Sequence, residues 1–434
     1  MADIRSEYTD SINFFAGHSP RSLAAKYGTP LYVYSEAILR QRCREVMSMC
    51  SVPGFGADYS VKANTNPAIL SIVREEGLMV DAMSPGELYM DKIAGFTSKD
   101  IVYISNNISP DEMHNAIDNG LLVSVDSLSQ LDMYGRFNPG GDVMIRFNPG
   151  VGAGHSAKVI TAGKATKFAV SPEDRDEAFS LVRKYGLRLT GVNQHIGSQF
   201  LETEQYLRAV DFVSEFPEDM LRNLNVLDFG GGFGIPYHKD TEKRLDLRAV
   251  GRSMDEKLTA WMEKTGYQGR FLVEPGRYIV GECGLLLGSV EAVKNNGERR
   301  YVGTDLGFNV LVRPVMYDSF HEMEIYAGSD GDRPVMEQTI TGNICESGDI
   351  LAKNRSLPEI REGDLIGVLD AGAYGFSMSS IFLMDCLYDS RIFCCILISD
   401  LSRTVFGRSI IYNDDLHFVS ARKQGFDTVS HISF

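Results

Sequence analysis

The feature that most constrains the fold is a unit that repeats along the first 285 residues: a short apolar run, a turn, and a helix with marked ends. Parallel strands covered by helices on both faces have apolar sequences of this kind. Eight such strands are typical of a closed barrel of about 250 residues, and an open doubly wound sheet is the alternative. The sequence therefore predicts an α/β fold with a TIM-like (β/α)8 barrel. The eight runs are DYSVK (58–62), LMVDA (78–82), IVYIS (101–105), LLVSV (121–125), VMIRF (143–147), LTGVNQH (189–195), NVLDF (225–229) and FLVE (271–274).

Three helices have both ends marked by residues that favour those positions. Each begins with Ser, which caps helix N-termini, and Pro, whose missing N–H costs nothing in the first turn. Each ends at Gly, which adopts the left-handed conformation that closes many helices. In the first two, a Glu three residues after the Ser gives the capping-box spacing. The three segments are SPGELYMDKIAG (84–95), SPDEMHNAIDNG (109–120) and SPEDRDEAFSLVRKYG (171–186).

The order of predicted elements changes near residue 286, where strand patterns follow one another without intervening helices. Asn-Asn-Gly at 295–297 supplies the turn chemistry of a hairpin. We therefore predict a barrel over residues 36–285 and a β domain over 286–380, which the N-terminal residues 1–35 join. Residues 381–434 form an atypical C-terminal tail.

Composition and charge exclude several classes of partner. The net charge of −15, from 43 basic and 58 acidic residues, leaves no basic stripe to neutralise phosphates, so nucleic acid is not expected. A signal peptide and an apolar run of 18 residues are both missing, which predicts a cytoplasmic protein with no membrane partner. Seven cysteines without a Cys-x-x-Cys pair, and only eight histidines, predict neither a disulfide framework nor a metal site.

Polar and glycine residues fall at the predicted carboxyl ends of the strands, where barrel enzymes place their chemistry. Lys62 ends the first strand, Asp81 lies near the end of the second, and His195 ends the sixth. GGGFG (230–234) follows the seventh strand, and EPGR (274–277) ends the eighth. These residues are expected to face one mouth of the barrel.

This set of residues suits pyridoxal phosphate. Backbone N–H groups after the last two barrel strands commonly hold a phosphate, and glycine lets it approach closely. Lys62 would bind the cofactor covalently, Glu274 would pair with its ring nitrogen, and His195 would cover one face of the ring. Two simpler interpretations stay open: the glycines serve a tight turn, and His195 is a hydrogen-bonded core residue.

Three clusters in the predicted β domain add polar chemistry. ICESGD (344–349) joins a thiol to carboxylates, although buried small thiols are common. RPVMY (313–317) offers an arginine and a tyrosine to a carboxylate, although a surface arginine is the simpler interpretation. DAGAYGFSMSS (370–380) opens from a strand end into a loop of small residues around Tyr374. None of the three is decisive alone.

Together, seven ordered motifs between roughly residues 20 and 380 resemble the fold-type III, alanine-racemase-like pyridoxal phosphate decarboxylases, and most closely the diaminopimelate decarboxylases. The fold that this resemblance implies is a TIM-like barrel with a C-terminal β domain. The motifs are YSVKANTN (59–66), HIGSQ (195–199), DFGGGFGIPY (228–237), EPGRYIV (274–280), RPVMYDSFH (313–321), GNICESGD (342–349) and DAGAYGFSMSS (370–380).

The resemblance implies roles for individual residues. Lys62 and Cys345 are the catalytic pair, with Cys345 as the acid that protonates the carbanion. A homodimer with shared active sites is implied, because Cys345 and Glu346 would reach the barrel mouth of a partner subunit. The cofactor-binding set is Lys62, Asp81, His195, Ser198, Gly231, Gly232, Glu274, Gly276, Arg277 and Tyr374, and the substrate-binding set is Arg277, Arg313, Tyr317, Glu346 and Tyr374.

The expected substrate is an amino acid with a second carboxylate. Arg277, Arg313 and Tyr317 would bind that carboxylate, and a guanidinium buried without it would be costly, so ornithine or lysine should be rejected. This favours decarboxylation of meso-diaminopimelate to L-lysine and carbon dioxide. The alternatives are a carboxynorspermidine, ornithine or lysine decarboxylase of the same fold, an amino-acid racemase, and a non-catalytic pyridoxal phosphate carrier.

The sequence departs from this family at its C-terminal end. After SMSS (377–380) the family usually has an Asn-Tyr-Asn segment and an Arg-Pro-rich strand, which residues 381–434 lack. A divergent or frame-shifted end is our hypothesis. IFCCILI (392–398) is apolar, rich in β formers and uncharged, so it is an aggregation hazard if it joins no sheet. A smaller departure is Ala169, where the family tends to have Gly.

Overall fold

The computed structural model describes residues 7–150, 161–163, 166–212, 216, 224–329, 331–380 and 382, together with two tail strands. Its strands are β1 (Leu31–Ser35), β2 (Phe55–Ser60), β3 (Met79–Ala82), β4 (Ile101–Ile104), β5 (Leu122–Val125), β6 (Asp142–Arg146), β7 (Arg188–Asn193), β8 (Val226–Gly231), β9 (Arg270–Glu274), β10 (Gly284–Asn296), β11 (Arg299–Thr304), β12 (Met323–Tyr326), β13 (Val335–Thr341), β14 (Ile350–Pro358), β15 (Leu365–Val368), β16 (Cys394–Ile398) and β17 (Phe406–Arg408).

Helices separate the strands of the first part of the chain. Short 3₁₀ turns lie at Val61–Ala63, Ser98–Asp100, Pro172–Asp174 and Phe376–Met378. The α-helices are Glu7–Ser11, Pro20–Tyr27, Glu36–Met47, Pro67–Glu75, Pro85–Ala94, Pro110–Asp118, Leu128–Phe137, Arg175–Lys184, Glu204–Asp211, Leu247–Thr265, Arg277–Val280 and Arg313–Tyr317. Among the described helices, none is long and apolar enough to cross a membrane.

Strands β2 to β9 close into a parallel barrel in chain order, which confirms the predicted (β/α)8 fold. Each of the eight predicted runs overlaps one barrel strand. Two predicted strand ends were wrong by two residues. The strand predicted to end at Lys62 ends at Ser60 (β2), and the strand predicted to end at His195 ends at Asn193 (β7). After Ser60 the chain leaves the ladder and tightens into a 3₁₀ turn, in which Asn64 N donates to Val61 O at 3.0 Å.

The marked helix ends form largely as predicted. Ser84 accepts from Glu87 N, and Gly95 closes that helix in the left-handed region with φ 91°. The capping box at Ser109 and Glu112 forms, whereas the Glu87 carboxylate accepts instead from Met83 N. Ser171 caps a 3₁₀ turn, and the α-helix itself begins only at Arg175.

The second sheet combines strands from both ends of the chain. Its order is β14, β13, β11, β10, β1, β16, β17, and β15 pairs with both β10 and β12. The N-terminal β1 lies antiparallel to β10, with Leu31 opposite Leu287. This sheet packs its loops against the carboxyl ends of the barrel strands, as Tyr374 N donating to Ala63 O at 2.8 Å illustrates.

Part of the atypical tail joins this sheet. Strand β16 runs parallel to β1, with Tyr32 opposite Cys395, and β17 pairs antiparallel with β16. The apolar segment IFCCILI therefore has a sheet to join at Cys394–Ile398. Residues 381, 383–393, 399–405 and 409–434 of the predicted tail lie outside the described residues.

A chain that ends at Ser380 is expected to be less stable and to aggregate, because β1 becomes an edge strand with unpaired backbone groups. Losing the four paired positions of β1 and β16 should destabilise the β domain by about 1–4 kcal/mol. Urea unfolding followed by circular dichroism measures the loss, and light scattering measures aggregation. The control chain ends at Arg408 and keeps both tail strands. Equal stability of the two chains would show that the pairing contributes nothing.

Candidate active site

Lys62 lies at the barrel mouth, in the 3₁₀ turn that follows β2. Its side chain is 30% exposed, and its Nζ lies 3.9 Å from Asp81 Oδ2 and 3.5 Å from Met83 Sδ. Burial acts to lower the pKa of Lys62, but the nearby Asp81, Tyr374 and Glu274 outweigh burial and raise it above its ordinary value. Lys62 thus presents an accessible amine whose position is stabilised by a neighbouring carboxylate.

Glu274 ends β9, and its side chain is only 3% exposed. Asn193 Nδ2 donates to its Oε1 at 2.8 Å, and His195 Nδ1 lies 3.4 Å from its Oε2. Burial acts to raise the pKa of Glu274, but the contact with His195 and the charge of Lys62 outweigh burial and lower it to about 2. Glu274 is therefore ionised throughout the physiological range.

Three further carboxylates surround Glu274 inside the barrel. Asp58, Asp81 and Asp228 are all buried. Burial and then neighbouring charges raise the pKa of Asp58 and Asp228 well above the ordinary value and that of Asp81 to about 7. Buried like charges cannot all ionise, and the opposite directions of these pKa shifts favour the negative charge on Glu274 over Asp58 and Asp228.

Arg146 ends β6 and faces this carboxylate group. It is buried, and its Nε and Nη2 have no hydrogen-bond partner among the described residues. Burial lowers its pKa despite the charges of Glu274 and Asp126. Sequence reasoning missed Arg146, Asp58 and Asp228. A charged residue inside an otherwise apolar barrel strand was the signal that could have found all three, because such a side chain must face the interior or the mouth.

His195 and the glycine loop meet beside Glu274. His195 Nδ1 lies 3.1 Å from Gly231 N and 3.4 Å from Glu274 Oε2. When Nδ1 carries no proton it accepts from Gly231 N, and when Nδ1 carries a proton it donates to Glu274. Burial lowers the pKa of His195, which favours the neutral ring. The structure thus brings His195 to the predicted mouth.

The glycines of the loop are required by close backbone packing. A Cβ on Gly231 would lie 1.7 Å from Glu274 O, and one on Gly232, whose φ is 103°, would lie 2.2 Å from Gly197 O. A Cβ on Gly276 would lie 3.0 Å from Ser60 Cβ. The tight-turn interpretation therefore holds at these positions, and their role toward a phosphate remains a prediction.

Arg277 connects the loop region to the β domain. Its Nη1 donates to Tyr237 Oη at 2.8 Å, and its Nη2 donates to Ser198 Oγ at 3.1 Å. Its guanidinium carbon lies 4.9 Å from the ring centroid of Tyr374. Arg277 is buried, and its Nε has no hydrogen-bond partner among the described residues.

Arg313 lies on the other side of Tyr237, with its guanidinium carbon 5.1 Å from the ring centroid. Its side chain donates to His321 Nε2 at 3.4 Å and to Ser319 Oγ at 3.3 Å. Burial lowers the pKa of Arg313, and the nearby charge of Arg277 lowers it further. Sequence reasoning missed Tyr237, although this residue ends the motif DFGGGFGIPY. Tyr317 is half-buried at the end of the short helix Arg313–Tyr317, which Arg313 begins.

Tyr374 reaches the barrel from the β-domain loop, with φ 56°, a left-handed conformation uncommon for a non-glycine residue. Its backbone N–H is bound to Ala63 O, one residue after Lys62. In contrast, Cys345 and Glu346 lie exposed on the turn between β13 and β14. The carboxyl group of Asp349 accepts from Ile344 N and Phe308 N, each at 2.8 Å, and so holds this turn.

These residues fit pyridoxal phosphate. Ser198 Oγ and the Arg277 guanidinium offer donors to an anion beside the glycine loop, and no described carboxylate forms an ion pair with Arg277. Lys62 offers an amine, and the ionised Glu274 can pair with a protonated ring nitrogen. Among the described residues, no group of three or more His, Cys, Asp or Glu could hold a metal ion.

Comparison with known proteins agrees with this chemistry. Residues 38–281 match the family model for the pyridoxal binding domain of pyridoxal-dependent decarboxylases, which confirms the predicted cofactor. The chain is 40% identical over 367 residues to the diaminopimelate decarboxylase of Methanothermobacter thermautotrophicus, covering 82% of this chain and 85% of that protein. It is 36% identical over 387 residues to the enzyme of that name from Archaeoglobus fulgidus, covering 86% of this chain and 89% of that protein.

A solved structure shows the same likeness in three dimensions. The crystal structure of diaminopimelate decarboxylase from Helicobacter pylori complexed with L-lysine has a TM-score of 0.81 and 27% sequence identity, covering 93% of this chain and 100% of that chain. The level of identity to the sequence relatives, sustained over more than four fifths of this chain, places it within one family. The chain belongs to the diaminopimelate decarboxylase family of pyridoxal-dependent decarboxylases.

Proposed function

We propose that this protein decarboxylates meso-2,6-diaminopimelate to L-lysine and carbon dioxide. The observation that carries this proposal is the pair of buried guanidinium groups, Arg277 and Arg313, on either side of Tyr237. Within the described part of the chain, neither has a carboxylate in ion-pair contact. A buried cation without a counter-ion is costly, so a substrate that brings a carboxylate to this place is favoured.

Bound pyridoxal phosphate would supply an electron sink for the electron pair left on the carbon that loses carbon dioxide. Lys62 would provide the amine that holds the cofactor covalently. Glu274 would pair with the ring nitrogen, because its low pKa leaves it negatively charged at neutral pH. Asp81 Oδ2, 3.9 Å from Lys62 Nζ, would pair with the amine of Lys62 whenever that amine is not attached to the cofactor.

Ser198, Gly231, Gly232, Gly276 and Arg277 are proposed to hold the phosphate, and His195 to cover one face of the ring. The distal end of the substrate is proposed to be held by Arg313, Tyr317 and Tyr374, and also by Arg277. These assignments are supported by the contacts of Arg277 with Ser198 and Tyr374 at the carboxyl end of the barrel, and by the position of Arg313 across Tyr237 from Arg277.

Cys345 and Glu346 are proposed to act in a second copy of the chain. Both are exposed on a turn that Asp349 holds, which suits a loop that completes the site of a partner. Cys345 would then hold the proton that the product carbon receives. A cytoplasmic homodimer with shared active sites is part of this proposal. So is the division into a barrel (36–285), a β domain (1–35 and 286–380) and a tail (381–434).

Arg313→Ala is expected to lower kcat/KM for meso-diaminopimelate by about 100- to 1000-fold, because the distal carboxylate loses its buried cation. The affinity for pyridoxal phosphate should change by less than about threefold, since Arg313 does not belong to the proposed phosphate set. Carbon dioxide release from meso-diaminopimelate, L-lysine and L-ornithine measures the first quantity, and cofactor titration measures the second.

The matched control is Arg208→Ala, because the side chain of Arg208 is 63% exposed and pairs with Glu204 on the same outer helix. The unmodified protein should prefer meso-diaminopimelate over L-lysine by a factor on the order of 10³. Preference for L-lysine or L-ornithine would overturn the proposed substrate. An equal loss of turnover and cofactor affinity in Arg313→Ala would overturn the role of Arg313.

A further inference from the structure

His321 is a buried residue that the proposed reaction does not use directly. It lies between the helix Arg313–Tyr317 and β12, and its side chain is fixed on two sides. Its Nδ1 lies 2.8 Å from Leu369 O, and its Nε2 receives Arg313 Nε at 3.4 Å. Its backbone carbonyl accepts from Arg355 Nη1 at 2.8 Å. The ring therefore has little freedom to turn.

The two contacts of the ring determine where its proton sits. A carbonyl oxygen only accepts, so Nδ1 must carry the proton and donate to Leu369 O. Nε2 is then the acceptor for the Arg313 N–H. Burial, followed by repulsion from Arg313 and Arg277, lowers the pKa of His321 to about 3, so the ring stays neutral at every physiological pH. Protonation would place two N–H groups and two positive charges against each other.

Among the described residues, the contacts of Arg313 leave N–H groups at one end of its guanidinium available to a ligand. Nε donates to His321 and Nη2 to Ser319, so the protein holds one edge of the group. Nη1 has no hydrogen-bond partner within the described residues. The end formed by Nη1 and Nη2 can then offer two parallel N–H donors to a carboxylate, which is the geometry that arginine binds most specifically.

We propose that His321 is a positioning residue that orients Arg313 for the distal carboxylate of the substrate. This inference rests on the proposed function, since it needs a substrate with that carboxylate. His321 also connects Arg313 to Leu369, which precedes the loop of Tyr374. The imidazole thus sets the arginine relative to the loop that meets the barrel mouth.

The test compares two ligands that differ in the distal carboxylate. L-lysine keeps the carboxylate that the proposed reaction leaves untouched, and 1,5-diaminopentane lacks it. Binding of each to the cofactor-loaded enzyme is measured by titration calorimetry. His321→Leu cannot accept from Arg313, so it should weaken L-lysine binding by about 10- to 100-fold and change 1,5-diaminopentane binding by less than about twofold. KM for meso-diaminopimelate should rise in parallel, with kcat nearly unchanged and the cofactor absorbance unaltered.

Three further variants make the result specific. His321→Gln keeps a donor and an acceptor at a similar spacing and should restore L-lysine affinity to within about threefold. His321→Asn keeps the donor but is too short to accept from Arg313, so it should behave like His321→Leu. It replaces His321→Leu in the test if His321→Leu does not fold. His238→Leu is the control, because His238 is exposed and stacks on Phe320 with ring centroids 3.7 Å apart.

The outcomes separate this inference from the proposed function. If the unmodified enzyme releases carbon dioxide from meso-diaminopimelate but His321→Leu and His321→Asn bind L-lysine normally, the role of His321 is refuted and the function stands. Equal weakening of both ligands would also refute it, because a merely structural loss does not discriminate between them. If the unmodified enzyme neither releases carbon dioxide nor prefers L-lysine to 1,5-diaminopentane, both proposals fall.

Discussion

Lys62→Ala is expected to abolish covalent cofactor attachment and to lower carbon dioxide release by on the order of 10⁴-fold or more. Lys62 is the amine that the structure holds at the barrel mouth, 3.9 Å from Asp81. Alanine provides no amine, so the cofactor can bind only through weaker non-covalent contacts. Borohydride reduction followed by mass spectrometry measures attachment, and the cofactor absorbance band gives a second measurement.

The matched control is Lys184→Ala. Lys184 is more exposed than Lys62 and pairs with Asp132 on the outer helices. This variant should retain attachment and turnover. Attachment at an unchanged level in Lys62→Ala would mean that another lysine carries the cofactor, and the site would have to be reassigned.

Glu274→Gln is expected to lower kcat by on the order of 10²- to 10³-fold while cofactor binding is largely retained. Glutamine keeps the size of the side chain and an oxygen that can accept from Asn193, but it has no charge to stabilise a protonated ring nitrogen. Because the lowered pKa of Glu274, about 2, keeps the native group ionised until the pH falls near that value, the loss should be constant between about pH 6 and 9. Steady-state rates across that range measure it.

Asp228→Asn gives the comparison within the same carboxylate group. Asp228 is buried, and burial with the nearby charge of Glu274 raises its pKa well above the ordinary value, so its neutral form is favoured and the amide is a close replacement for that form. Its effect should be smaller than about tenfold. If Asp228→Asn were as damaging as Glu274→Gln, the negative charge would not be localised on Glu274 as the structure indicates.

Much of the barrel could be predicted because its signals are local. Burial on both faces makes each strand a short apolar run, and Ser109 with Glu112 marks a helix start through contacts three residues apart. The offsets at Lys62 and His195 arose where strands end. Pairing stops there according to what the neighbouring strands and loops do, and a single segment does not contain that information.

The candidate site was predicted in part for a different reason. Parallel barrel strands all end at one mouth, so Lys62, His195 and Glu274 could be brought together from chain order alone. The residues that shift the pKa values of this group were missed, because Asp58 and Arg146 lie within strands whose sequences are mostly apolar. Tyr237 was missed because it contacts two arginines that are distant in sequence. Burial and charge act through space, so their effect on a pKa depends on the folded arrangement.

The C-terminal tail also shows the difference between what a sequence predicts and what folding decides. Composition identified IFCCILI as a β-forming segment, but only the folded sheet decided that Cys394–Ile398 lies parallel to β1. The sequence by itself determined the barrel, the cofactor chemistry and the family, because periodicity, caps and ordered motifs are properties of short segments. The tertiary structure alone decided which carboxylates have raised or lowered pKa values, which groups contact Arg313, and where the tail pairs, because each depends on groups that meet only after the chain has folded.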